Sequence, residues 1–155
     1  MVQLMYDIIK CKTDAKVQHS EQFYIYENVK SRIITVKNFA EAAQKRKQKK
    51  LIIVEDCSID EGAIKLLGEE QRACILIDLS RILKNDGVRR AIEFSVIRTM
   101  LKLCIKHGAF YTFATFAEKE EDIRTIDELC HIGMLLGLNR GQGKFALKMI
   151  EDYLQ

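Results

Sequence analysis

The chain has 155 residues, 48% of them hydrophobic and 30% charged, a balance that permits a real core and excludes a disordered chain. Its formal charge of +3 is too mild to announce an anionic partner, so the placement of the cations has to carry any such argument. The cysteines (Cys11, Cys57, Cys74, Cys104, Cys130) are scattered with no C-x-x-C pair, which excludes a redox or disulfide framework; with no leader-like stretch and no apolar run near the roughly 20 residues that span a bilayer, a cytoplasmic protein without a membrane partner is expected.

Residues 4–11, 23–27 and 32–37 are rich in Ile, Val, Tyr and Phe between polar stretches, which predicts three strands. Asn38 with Glu41 three residues on forms a capping pattern for a helix reaching about Lys49, and the run LIIVED at 51–56 follows as a buried strand. Ser58 with Glu61 repeats the capping pattern, Gly68 is placed to end that helix in a left-handed cap, and ACILIDL at 73–79 is the next strand. Ser80 opens a short helical turn. A long helix then runs from Asp86 or Gly87 to His107, where Gly108 closes it before a strand at 109–115. Thr125 with Glu128 starts a helix that Gly137 stops, and Asn139 starts a last one that ends near Tyr153. This alternation marks βαβ units on a mainly parallel sheet, an α/β fold. No linker or internal repeat divides it, so one domain over residues 1–155 is expected.

Acids stand at or near the ends of the strand-like runs: Asp7, Glu27, Glu55, Asp56 and Asp78. Parallel barrels and open sheets hold ligands at that face, so these carboxylates read either as a divalent-metal or acid/base site or as solvated loop acids that cap helices. The second reading is preferred, because a transition-metal site recruits histidines at short spacing and His19, His107 and His131 lie far apart. His107 is expected at a helix C-terminus, where the dipole favours a proton on imidazole. Neither phosphate-binding glycine motif nor a nucleophile elbow occurs. No catalytic and no metal-binding residue is assigned.

The cations are better organised. Lys45, Arg46, Lys47, Lys49 and Lys50 crowd the run before LIIVED, a density that attracts phosphates or, more plainly, favours a helix C-terminus. On the long helix Arg98, Lys102 and Lys106 recur every fourth residue behind Arg90, a basic ridge beside Ile97, Leu101, Cys104 and Ile105. With Lys84, Arg89 and Arg124 they make the C-terminal half a candidate phosphate-binding surface.

Ile82-Leu83, Gly87 with Arg89-Arg90, Arg98 with Leu101 and Lys102, residues 111–117, Asp122-Ile123-Arg124, Asp127 with Leu129, and Leu135-Leu136-Gly137-Leu138 follow one another in order. Through that order residues 74–155 resemble ribonuclease P protein component 3, the archaeal counterpart of the eukaryotic p-thirty subunit. Thr115-Phe116-Ala117 stands where the family commonly has Ser-x-Ala, Ile126 where it has proline, and the first half is shorter and matches only in its strand and helix rhythm.

The resemblance implies a TIM-barrel-like (PHP-like) fold related to metal-dependent phosphoesterase barrels, here as a trimmed barrel. It also implies a place in the ribonucleoprotein that removes the 5′ leader from precursor tRNA. There the RNA performs hydrolysis with magnesium, the protein holds no cofactor, and the partners are ribonuclease P RNA, ribonuclease P protein component 2 and further ribonuclease P proteins. On this reading Lys84, Arg89, Arg90, Arg98, Lys102, Lys106 and Arg124 neutralise RNA phosphates, with Lys45, Arg46, Lys47, Lys49 and Lys50 as an additional patch. The rivals are a divalent-metal phosphoesterase built on Asp7, Glu55, Asp56 and Asp78, and a module that meets only protein.

Overall fold

Runs rich in β-branched or, in the last, aromatic residues form the parallel sheet that the rhythm predicts: β3 (Ile33–Val36), β4 (Leu51–Val54), β5 (Cys74–Asp78) and β6 (Phe110–Ala114), hydrogen-bonded in that order. The computed structural model describes residues 4–11 and 23–155, so His19 lies outside the described residues. Within them β1 (Asp7–Ile9) and β2 (Phe23–Ile25) form a second parallel pair. β1 is laced to the chain just beyond β6: Phe116 N–H donates to the Ile8 carbonyl at 2.8 Å and Lys10 N–H to the Ala117 carbonyl at 2.8 Å. Both strands are shorter than the predicted runs, and the residues that follow β2 turn at once into the helical turn α1 (Tyr26–Val29).

Strand period sorts side chains onto two faces, both buried. Ile52, Val54, Ile75, Ile77, Tyr111 and Phe113 pack on one face against Phe39, Ile64, Leu67, Met100, Leu101 and Leu129 from the helices. Leu51, Cys74, Leu76, Ala114 and Phe116 face the other way and meet Ile8 from β1, Ile33 from β3 and Tyr24 from β2. The last helix, α7 (Arg140–Leu154), serves both: Ala146 and Leu147 belong to the first cluster, Met149, Ile150 and Leu154 to the second.

Local rules set most helix starts. Asn38 caps α2 (Phe39–Gln44) by accepting from Glu41 N–H at 3.0 Å, and Thr125 and Asn139 close full capping boxes on α6 (Ile126–Leu135) and α7. Three expectations are corrected. α2 ends at Gln44, so residues 45–50 form turns and not its last coils. α3 (Glu61–Glu70) is capped by Asp60, whose Oδ1 accepts from Ala63 N–H at 3.0 Å, while Ser58 spends its hydroxyl on Asp56 at 2.5 Å. Likewise α4 (Leu79–Lys84) is capped by Asp78, which accepts from both the N–H and the hydroxyl of Ser80.

Gly68 does not end α3. It lies inside the helix because α5 (Gly87–His107) passes there: a Cβ at Gly68 would stand 2.1 Å from the His107 carbonyl oxygen. The left-handed cap is Gln71, whose Nε2 donates to the Gly108 carbonyl at 3.1 Å. Gly108, at φ +73°, closes α5 as expected.

Candidate nucleic-acid interface

α5 buries only its C-terminal half, and there the cations occupy a different face from the core residues. Its buried residues, Ile97, Met100, Leu101 and Cys104, lie in the C-terminal half, whereas residues 87–96 bury none. Arg89 is exposed in that first stretch and forms no ion pair among the described residues. Arg90 folds back: its Nε donates to the Asn85 carbonyl at 2.7 Å and its Nη2 to the Leu83 carbonyl at 2.9 Å, satisfying carbonyls left open at the end of α4. Lys84 pairs with Glu118 at 3.1 Å across the chain beyond β6, and that contact holds the Glu118 carboxyl below its usual range.

The expected ridge exists but fans out, since residues four apart on a helix drift by about 40°. Arg98 turns to α6, donating to the Leu135 carbonyl at 2.8 Å with its guanidinium 5.7 Å from the Phe94 ring centre. Lys106 turns to α3 and meets Glu61 at 2.9 Å, where His107 also reaches the same carboxylate oxygen. The hydrogen bond from His107, and then the one from Lys106, holds the Glu61 carboxyl low. Lys102, between them, is exposed and without an ion pair among the described residues. Arg124 is half-buried, 3.8 Å from Glu128 on the first turn of α6.

The second group lies at the end of the sheet where β4 begins, away from Lys84 but at the end toward which the last turn of α5, with Lys106, also runs. Lys50 leads directly into β4 and its carbonyl accepts from Cys74 N–H at 3.1 Å, whereas Lys84 follows the end of β5. Arg46 caps α2 through the Ala43 carbonyl at 2.7 Å, and the Lys49 ammonium lies 5.8 Å from the Tyr153 ring centre. Lys45 and Lys47 are exposed.

The four acids of the phosphoesterase reading do not converge. Glu55, Asp56 and Asp78 end β4 and β5, with Asp56 held low by the hydroxyl and N–H of Ser58. Asp7 instead opens β1 and is buried, both oxygens taken up by Thr115 and by Ile8 N–H; burial pushes its carboxyl up to about 6. Glu27 pairs with Lys30 at 3.0 Å. Among the described residues no group of three or more His, Cys, Asp or Glu side chains is arranged to hold a metal ion. The cysteines are free, and burial pushes the Cys104 thiol up to about 12, far from a reactive thiolate.

Two cations escaped the sequence reading. Arg81 donates to the Val54 and Glu55 carbonyls at 3.1 and 2.6 Å, tying α4 to the end of β4, and Lys10 lies 5.6 and 5.8 Å from the Tyr26 and Phe116 ring centres. The usable signal was position, since Lys10 follows β1 directly and Arg81 lies in the first turn of the helix after β5. No helix of the described residues is long and apolar enough to cross a membrane.

The sequence matches no protein-family model and no curated protein. Its fold is similar to that of a chain in the cryo-EM structure of archaeal Ribonuclease P with mature tRNA, with a TM-score of 0.69 at 16% identity, over 97% of this chain and 92% of that one.

Proposed function

We propose that the chain is a protein subunit of ribonuclease P, of the component 3 type, that braces the catalytic RNA through phosphate contacts and supplies no catalytic group. The observation that carries this reading is the fold likeness to a chain of a ribonuclease P particle over nearly the whole of both chains. The ordered motifs of residues 74–155 point the same way independently of it. Arg89 and Lys102, exposed and without carboxylate partners among the described residues, are the side chains readiest for RNA; Arg98 offers the remaining face of its guanidinium beside α6. Lys84, Lys106 and Arg124 would exchange a surface carboxylate for a phosphate, an exchange that costs little because exposed ion pairs contribute about 0–1 kcal/mol. Arg90 acts mainly by rigidifying the turn that presents Arg89. Lys45, Arg46, Lys47, Lys49 and Lys50 supply an additional contact at the end of the sheet where β4 begins.

A trimmed TIM-barrel-like arrangement accompanies this reading. Its support is the lacing of β1 to the chain beyond β6 together with the shared inner cluster of Ile8, Tyr24 and Ile33. Magnesium chemistry stays with the RNA, and the protein partners are ribonuclease P protein component 2 and its companions in a cytoplasmic particle. Reconstituting 5′ processing of precursor tRNA from the RNA and the other subunits, with and without this chain, tests the proposal. Addition is expected to raise the cleavage rate at limiting magnesium, and an unchanged rate would sink it.

A further inference from the structure

The C-terminal ends of β3, β4 and β5 surround an open cup of about 410 Å³, the face where parallel sheets hold ligands. Its floor is apolar and aromatic: Ile53, Tyr26 and Phe116, the last two in edge contact with ring centres 5.8 Å apart. Phe116 is buried and held at φ +49°, a conformation that a bulky side chain rarely adopts and that clusters at functional sites. Its rim carries both signs of charge. The Lys10 ammonium lies near both rings and forms no ion pair among the described residues, although its charge is felt by the Glu118 carboxyl, and Arg81 is fixed by the carbonyls at the end of β4. The acids lie on the side of Arg81: Glu55, whose own carbonyl accepts from Arg81 at 2.6 Å and whose carboxylate forms no ion pair among the described residues, and Asp78, whose Oδ1 accepts from Ser80.

Charge decides what such a cup can hold. A simple anion drawn to Lys10 and Arg81 meets Glu55 and Asp78, and a metal ion drawn to the two carboxylates meets the two cations. A ligand that is anionic at one end and offers N–H donors at the other, with a flat apolar body between, satisfies Lys10, the two carboxylates and the floor. We propose that the cup binds a nucleotide: phosphate toward Lys10, base against Tyr26 and Ile53, and an exocyclic amino group toward the carboxylates of Glu55 and Asp78, with Arg81 already taken by the carbonyls at the end of β4. The flexible Lys10 stem lets its ammonium leave the Tyr26 ring for the phosphate, freeing an aromatic face of the kind on which bases stack. The site does not depend on the ribonuclease P reading, because a free nucleotide is a sufficient ligand.

Titration of the isotope-labelled full chain with adenosine 5′-monophosphate, ribose 5-phosphate and inorganic phosphate, followed by NMR, tests this. The expected result is a saturable shift confined to the residues lining the cup, with Lys10, Tyr26, Ile53, Glu55 and Asp78 among them. The nucleotide should bind about tenfold more tightly than ribose 5-phosphate, the share of one stacked base. Lys10→Met should weaken nucleotide binding about tenfold while the melting transition of the exposed-site variant stays in place. Inorganic phosphate binding as tightly as the nucleotide, absence of any saturable shift at millimolar nucleotide, or shifts spread over Lys45 to Lys50 and α5 would overturn the proposal.

Discussion

Asp7 and Thr115 hold the beginning of β1 to the end of β6: Thr115 donates its backbone N–H to Asp7 Oδ1 at 2.8 Å and its hydroxyl to Oδ2 at 2.6 Å. Burial outweighs these bonds and leaves the folded carboxyl titrating near 6 against an ordinary value of 3.8. The folded chain thus binds the Asp7 proton more firmly than the unfolded chain, so ionisation weakens the fold as pH rises through that window. Relative to Asp7→Asn, the natural chain should lose up to about 3 kcal/mol of unfolding free energy between pH 4 and pH 7. Denaturant melts of both chains across that range measure it, and parallel stability profiles would refute it.

Gly68 is held by steric contact and not by torsion. With the His107 carbonyl 2.1 Å from the place of its Cβ, Gly68→Ala must push α3 and α5 apart despite the higher helix propensity of alanine. A loss of about 2–3 kcal/mol is expected, typical of overpacking. A variant that melts at or above the temperature of the parent would show that the two helices can slide without cost.

Thr112 is buried in β6, and its hydroxyl donates to the Ala146 carbonyl of α7 at 2.6 Å. Thr112→Val keeps the branched shape and leaves that carbonyl without its side-chain donor, so about 1–2 kcal/mol of stability should go. Hydrogen exchange of the α7 amides should accelerate with it; unchanged protection there would mean the bond does not hold α7 to the sheet.

If RNA phosphates meet the C-terminal half, the exposed cations should not contribute equally. Arg89→Ala and Lys102→Ala each remove a cation with no protein partner among the described residues, and each should lower the slope of log affinity against log salt by about 0.7–0.9. Lys106→Ala leaves the Glu61 carboxylate to His107 and should change the slope less. Binding isotherms with ribonuclease P RNA over a salt series distinguish these outcomes, and a flat salt response of the natural chain would remove the phosphate contacts altogether.

The sequence by itself determined the order and type of the elements from β3 to α7, because each depends on neighbours a few residues apart: the Asn38, Thr125 and Asn139 caps, the left-handed Gly108, and the β-branched runs at β4 and β5. The Gly68 stop and the Ser58 cap were misread for the complementary reason. Their outcome was set by His107 and by Asp60 and Asp56, competitors that a local pattern does not rank. Cation density and helical spacing located the basic residues of α5, but which of them face solvent depended on α3 and α6 packing alongside. Only tertiary structure buried Asp7 beside Thr115, 108 residues away, and gathered Lys10, Tyr26, Arg81 and Phe116 around one cup. Contacts at that separation come from the docking of β1 against the chain beyond β6, and nothing periodic in the chain encodes them.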